Sequence, residues 1–270
     1  MTGPLARSVE TVTGVLRSFF AAEAVARADG FLQSRDPRVV LLSVGGLALA
    51  VVLTRTFPPL LALCGVTLVL ARASSVPLSR LLARSALVPL ASALVVLPQA
   101  ALLPGDPLVG AFGVTVTDAG AAYVAFFALR VGAGVALLSL LVLTTPFSAV
   151  VAAMRELRVP VAVAWVTAVT YRYLFLFFDE LRRLVLARNS RTSGGSGLRG
   201  GWRDARSIAG TFLLRTLDRG ERVGRGMRAR GGAEPPAPYG RSRSLDRGDY
   251  LLAAVALAAV VGSGVVRWGL

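Results

Sequence analysis

The sequence predicts an all-α integral membrane protein with about five transmembrane helices and long cytoplasmic helices between the fourth and fifth spans. Hydrophobic residues make up 54% of the 270 residues and the mean hydropathy is +0.65, whereas charged residues make up only 17%. A soluble domain is usually about 45–50% apolar and about 25% charged. The net charge is nevertheless +15. The arginines lie between long apolar runs, which is typical of proteins that cross a membrane several times.

The N-terminal arm, residues 1–38, mixes acidic and basic residues and contains no apolar core of a secretory signal, so we expect it to be retained. Part of it has apolar residues near helical spacing, which predicts a helix lying in the membrane interface or packed on the protein's own loops. These residues are Val12, Val15, Leu16, Phe19 and Phe20.

Residues 39–145 contain four apolar runs that are predicted to cross the membrane. They are Val39–Thr54, Leu60–Ala71, about Ser85–Pro104 and Ala119–Thr145. The first would be about 24 Å long as a helix, shorter than the roughly 30 Å hydrocarbon core, so Arg38 and Arg55 at its ends are expected to snorkel. Residues 105–118 are predicted to be a loop. Arg130 is a charge within the fourth run, for which we expect a structural role.

The arginines of the short loops predict the orientation. Residues 72–84 contain three arginines and residues 105–118 contain none, which places 72–84 in the cytoplasm. Four crossings then place both the N-terminal arm and residues 146–247 inside. The final segment, 248–270, contains the last span, Tyr250–Val266, which leaves the C-terminus outside.

The segment 182–230 is strongly basic, with thirteen arginines against three acidic residues. Val161–Phe178 is apolar enough to be another span, but that span would place the basic segment outside. We therefore predict that Val161–Ser190 is one amphipathic helix along the inner face, beginning after Pro160. A Gly/Ser turn over 193–201 and a second helix, Trp202–Arg230, are predicted to follow.

The composition excludes several kinds of catalytic site. All thirty basic residues are Arg, so a P-loop lysine, a Ser–His–Asp triad and a histidine-ligated zinc are absent. Cys64 is the single cysteine and is expected to be a small buried hydrophobe. The adjacent acids Asp179 and Glu180 are expected to be neutralised by Arg182 and Arg183.

Two similar tripeptides stand at the ends of the two predicted cytoplasmic helices, Ser190-Arg191-Thr192 and Ala229-Arg230-Gly231. Small neighbours let a guanidinium reach a carboxylate of a partner, where its planar fork can bind with two hydrogen bonds. Taken alone, such tripeptides in an arginine-rich segment are more often arginines that face solvent or lipid headgroups.

Their context is an ordered series of further stretches between about residues 30 and 267. The series is Asp36-Pro37-Arg38, 144–147, 154–160, 170–175, 187–192, 219–223 and 227–231. In this order the sequence resembles the transmembrane T component of energy-coupling factor (ECF) transporters, closest to the cobalt/nickel-type branch called CbiQ.

The resemblance implies a single T-component domain over 1–270, a scaffold without catalysis of its own. Such a subunit joins two cytoplasmic ABC-type ATPase subunits to a substrate-binding membrane S component, here CbiM/CbiN-like. Arg191 and Arg230, with their small neighbours, would dock on the ATPases, although the first motif reads Ser-Arg-Thr where the family has Ala-Arg-Gly. The apolar surface around Tyr171, Tyr173 and Phe175 would contact the S component. No cofactor is expected in this chain, since the ATPases would bind ATP and magnesium, and the cargo would be cobalt, nickel or a vitamin.

Three other functions are weighed against this one. A conventional ABC permease domain would carry its coupling segment between spans. A membrane-embedded lipid-headgroup enzyme would need a carboxylate cluster or a nucleophile with a base. A nucleic-acid-binding membrane protein would use the basic helices, but only Trp202 and Phe212 interleave aromatic residues there.

Overall fold

The computed structural model describes residues 30–111, 114–191, 198–231 and 245–268, together with Gly14 and Ala26. These residues divide between two compact units, one within 23–153 and 240–270 and the other within 1–22 and 154–239. Apart from Gly14, the interfacial helix predicted around residues 12–20 lies outside the described residues.

The elements are almost all helical, as predicted. In chain order they are α1 (Pro37–Leu53), α2 (Phe57–Ala73), α3 (Leu78–Ser85), α4 (Leu87–Val96), α5 (Gln99–Leu102), β1 (Pro107–Ala111), β2 (Val114–Thr117), α6 (Asp118–Thr144), α7 (Phe147–Glu156), α8 (Val161–Arg191), α9 (Leu198–Ala229) and α10 (Arg247–Trp268).

The first unit is held together where α1 and α10 begin. Asp36 is the N-cap of α1, and its carboxylate accepts the backbone N–H of Arg38 at 2.9 Å. Asp249, in the first turn of α10, accepts the backbone N–H of Asp36 at 3.1 Å. The Arg35 guanidinium pairs with Asp246 at 2.8 Å. Gly46 of α1 also faces Ala256 and Val260 of α10. The two helices therefore start side by side and run parallel.

Helices α1 and α2 form an antiparallel hairpin. The chain before α1 bonds to the chain after α2, since the backbone N–H of Phe31 donates to the Ala73 carbonyl at 3.1 Å. Near the turn of this hairpin, Nε of Arg130 in α6 donates to the Val51 carbonyl at 3.2 Å. The last carbonyls of a helix lack partners within it, and a cation there also interacts favourably with the helix dipole. Arg130 therefore has the structural role expected, as a cap on the C-terminal end of α1.

The segment α3–α5 runs antiparallel to α6. Pro89 lies opposite Gly132, and the backbone of Ala100 approaches Gly120 so closely that a side chain at 120 would collide with it. Helical structure begins at Leu78, earlier than the predicted Ser85, and is interrupted near Pro98 as Pro residues require. The predicted loop 105–118 instead contains the antiparallel hairpin β1–β2. The short sequence pattern of this segment did not indicate its strands.

The second unit consists mainly of α8 and α9. The prediction that Val161–Ser190 is amphipathic is wrong over its first half. Within residues 161–178 the side chains are mostly apolar on every face of the helix, with Arg172 as the single charge, and the other charges lie between Asp179 and Arg191. Within the described residues, four helical segments are long and apolar enough to cross a membrane. They are Leu78–Leu102, Asp118–Thr144, Val161–Arg188 and Arg247–Val265, beside the shorter α1 and α2. The fold is that of an all-α, multi-pass membrane protein.

Candidate functional site

The first arginine tripeptide lies where α8 ends. Arg191 is the last residue of α8, and the Ser190 hydroxyl donates to the Ala187 carbonyl at 3.0 Å, one turn back. The hydroxyl therefore bonds back within the last turn of the helix, as serine side chains in helices commonly do. Thr192 lies outside the described residues. The predicted helix is therefore present up to Arg191, and the tripeptide begins inside its last described turn.

The second tripeptide forms the C-terminal cap of α9. Ala229 is the last helical residue, and the Arg230 backbone N–H donates to the Met227 carbonyl at 3.1 Å. Gly231 follows with φ of +100°, a conformation in which glycine commonly ends helices because it has no Cβ. The side chain of Arg230 is exposed. Gly231 thus stops the helix as predicted and leaves the guanidinium accessible to an acidic partner.

Three contacts pair α8 with α9. The rings of Phe177 and Phe212 meet edge to face, with centroids 6.0 Å apart. The other two contacts are ion pairs, Glu180 with Arg215 and Arg188 with Asp204. From the contacts of Phe177 and Glu180 to that of Arg188, residue numbers rise along α8, whereas on α9 they fall from 212 and 215 to 204, so the two helices run antiparallel. We call these three contacts the clasp.

The two ion pairs of the clasp differ in burial. Asp204 is 4% exposed, whereas the side chains of Glu180 and Arg215 are 23% and 55% exposed. The prediction that Arg182 and Arg183 neutralise Glu180 is wrong in detail, because Arg215 of α9 is its partner. The clasp itself was not predicted. Its one signal in the sequence is Asp204, an isolated acid within an arginine-rich helix.

The clasp keeps the two arginine tripeptides apart. Arg191 lies just beyond Arg188, at the end of α8 next to the chain reversal. Arg230 lies beyond Arg215 in the opposite direction, and α9 rises about 22 Å between Arg215 and Arg230. Counted from the Glu180–Arg215 pair, strictly antiparallel axes would place Arg191 and Arg230 about 40 Å apart. They mark opposite ends of one helix pair, so a single partner groove does not bind both.

The three predicted aromatic contact residues divide between two sides of α8. Tyr171 and Phe175 pack edge to face on each other, with centroids 5.0 Å apart. Tyr173 contacts Phe177, at 6.0 Å, and therefore lies on the side that faces α9. Residues two apart point to nearly opposite sides of a helix. Only Tyr171 and Phe175 thus form a pair turned away from α9.

Elsewhere in the described ranges, no group of three or more His, Cys, Asp or Glu side chains is placed to hold a metal ion. The predicted site residues that the structure describes lie at two basic helix ends and in aromatic contacts on α8.

Comparison with known proteins gives a consistent assignment. An uncharacterized protein of Methanocaldococcus jannaschii is 26% identical over 231 residues, which cover 83% of this chain and 79% of that protein. The cobalt transport protein CbiQ of Rhodobacter capsulatus is 29% identical over 144 residues, covering 52% of this chain and 58% of that protein. The CbiQ cobalt transport protein family matches residues 29–239. The chain therefore belongs to the CbiQ family of cobalt transport proteins.

Proposed function

We propose that this chain is the scaffold and energy-coupling subunit of an ATP-driven ECF-type importer for cobalt or nickel. Membership of the CbiQ family makes it a membrane component of cobalt transport. The proposal adds that it links two cytoplasmic ATPase subunits to a substrate-binding membrane subunit, CbiM/CbiN-like. The observation that carries it is the clasped pair α8–α9 with an arginine tripeptide at each end.

The separation of the two arginines suits two ATPases that move relative to each other. Each guanidinium would bind carboxylates in a groove of one ATPase, with two hydrogen bonds where the geometry permits. Because α8 and α9 are joined by the clasp, a movement applied at Arg191 or at Arg230 is transmitted to the whole pair. The half-buried pair Tyr171–Phe175, on the side of α8 turned away from α9, is our candidate for passing this movement to the substrate-binding subunit.

The parallel start of α1 and α10 supports a cytoplasmic location for α8 and α9. The hairpin α1–α2 and the pair formed by α3–α5 with α6 each return the chain to the side from which it came. If α8 crossed the membrane as well, α10 would begin on the side opposite to α1, which the hydrogen bond between Asp36 and Asp249 opposes. We therefore propose that α8 stays on the side where α1 starts, and that the arginines of residues 72–84 mark this side as cytoplasmic.

The direct test substitutes both docking arginines in the complete transporter. Arg191→Ala with Arg230→Ala should abolish co-purification of the ATPases and uptake of labelled cobalt, since a desolvated arginine–carboxylate contact that loses one partner weakens binding by about 2–5 kcal/mol. Arg206→Ala, which removes an exposed arginine in the first third of α9, is the matched control and should leave both unchanged. Normal assembly and uptake in the double variant would refute docking by these arginines.

A further inference from the structure

A narrow apolar groove lies in the first unit between α2, α3, α4 and α6. Its volume is about 510 Å³, and its walls include Cys64, Leu68, Leu82, Pro89, Ala128 and Gly132. Two hydroxyl groups also line it, but Thr67 and Ser85 donate to the carbonyls of Leu63 and Leu81, both at 2.8 Å. No lining hydroxyl therefore needs a polar partner, and the groove suits an apolar occupant.

The dimensions of the groove favour a single hydrocarbon chain over a helix. Between Ala125 and Ala136, which both line it, α6 rises about 16 Å. The volume divided by this length gives a mean cross-section of about 30 Å², a path about 6 Å wide for atom centres and about 9 Å wide between the groove walls, whereas a helix with its side chains is about 10–12 Å across. Beyond Ala125 a second apolar cavity of about 610 Å³ continues along α6. The length available thus exceeds the roughly 15 Å depth of one leaflet.

A positive charge stands at one end of this groove. Arg72 lies one turn beyond Leu68 on α2, in line with Cys64 and Leu68, and its side chain is exposed. Among the residues that the structure describes, it has no ion-pair partner. Arg80 of α3 is also exposed, but it lies roughly 160° around its helix from Leu82 and so faces away from the groove.

We propose that the groove binds one acyl chain of an anionic phospholipid whose phosphate contacts Arg72. The chain fills the space that the small residues of α6 leave open, and the guanidinium selects a negatively charged headgroup. The site is independent of the coupling function proposed above, because it lies in the other unit and uses none of the docking residues.

Cys64, the single cysteine of the chain, reports on the groove directly. The full-length protein is placed in nanodiscs of phosphatidylcholine alone or of phosphatidylcholine mixed with phosphatidylglycerol, and the rate of Cys64 alkylation by N-ethylmaleimide is measured. Phosphatidylglycerol should slow the alkylation several-fold in the native protein. Arg72→Gln should remove this protection and lower the phosphatidylglycerol retained after purification about fivefold, since one arginine near a lipid surface contributes about 1 kcal/mol. Arg80→Gln should retain both effects.

A second pair of variants tests the shape of the groove and leaves the charge of Arg72 unchanged. Ala128→Phe fills the groove and should lower the retained phosphatidylglycerol, whereas Leu138→Phe, at a lipid-facing position elsewhere on α6, should not. The proposal is overturned if phosphatidylglycerol leaves the Cys64 rate unchanged, or if Arg80→Gln acts like Arg72→Gln. It is also overturned if Cys64 is protected only when a partner membrane subunit is present, because a protein segment would then occupy the groove.

Discussion

The ion pair between Arg188 and Asp204 should contribute more to the pairing of α8 with α9 than the pair between Glu180 and Arg215. The Asp204 side chain is 5% exposed and that of Arg188 is 40% exposed. Removing one partner of a buried ion pair typically costs about 3–5 kcal/mol, because the other charge remains buried. Since Arg188 reaches solvent, we expect the lower end, about 3 kcal/mol, for Arg188→Met. The more exposed pair should contribute about 0–1 kcal/mol.

Hydrogen exchange of the α9 amides measures this difference. If exchange occurs through local opening, a loss of about 3 kcal/mol corresponds to roughly 100-fold faster exchange around Asp204. Arg215→Met is the matched control and should accelerate exchange less than about fivefold. In the complete transporter, Arg188→Met should also weaken ATPase binding, although Arg191 itself is intact, because the end of α8 is no longer fixed on α9.

A double substitution separates the contribution of the Arg188–Asp204 ion pair from that of side-chain packing between α8 and α9. Arg188→Met combined with Asp204→Leu replaces a buried ion pair by an apolar contact, which is often neutral or stabilising. Exchange around position 204 should therefore return most of the way to the native rate. If the two single substitutions at Arg188 and Arg215 have equal effects, or if the double variant exchanges as fast as Arg188→Met alone, the reasoning from burial is refuted.

Three further outcomes concern the first unit and one concerns catalysis. Asp249→Ala removes the acceptor of two backbone N–H groups where α1 and α10 begin and should destabilise the unit by about 2 kcal/mol in thermal unfolding, with Asp249→Asn intermediate. Arg130→Leu should lower the stability by about 1 kcal/mol through loss of the cap on α1. The Arg247 backbone N–H and the Arg35 side chain lower the pKa of Asp246 below its usual 3.8. The contribution of the Asp246 carboxylate to the stability of the folded chain is therefore complete above about pH 4 and is lost as the pH falls through the lowered pKa. Asp246→Asn should remove this acid dependence of the stability. The purified chain alone should not hydrolyse ATP, as measured by phosphate release with contaminating ATPases excluded.

The local features of the fold could be predicted from the sequence where one strong signal dominates. Helix α6 begins and ends within one residue of its prediction, because the Thr117 hydroxyl caps it and an uninterrupted apolar run follows. The end of α9 was predicted because Gly231 adopts a conformation that few other residues tolerate. The partner of Glu180 and the carbonyl that Arg130 caps could not be predicted. Both depend on which helices pack against each other, and the spacing of residues along one helix does not specify its neighbours. The error on α8 arose because charge distribution, not helical periodicity, was used to predict an amphipathic surface.

Whether α8 crosses the membrane is the question on which the topology depends. Its composition permits crossing, since Val161–Arg188 is long and apolar enough, whereas the hydrogen bonds where α1 and α10 begin require an even number of passages between them. We therefore expect single cysteines at Ser34, Glu156, Trp202 and Leu245, each in a Cys64→Ala background, to react with an impermeant maleimide from the same side of the membrane. Arg55→Cys, at the turn between α1 and α2, provides a comparison position away from that side. If Glu156 and Trp202 label from opposite sides, α8 crosses the membrane, and Arg191 and Arg230 are not both cytoplasmic. If Ser34 and Leu245 label from opposite sides, the parallel packing of α1 and α10 is wrong, and with it the argument that keeps α8 inside.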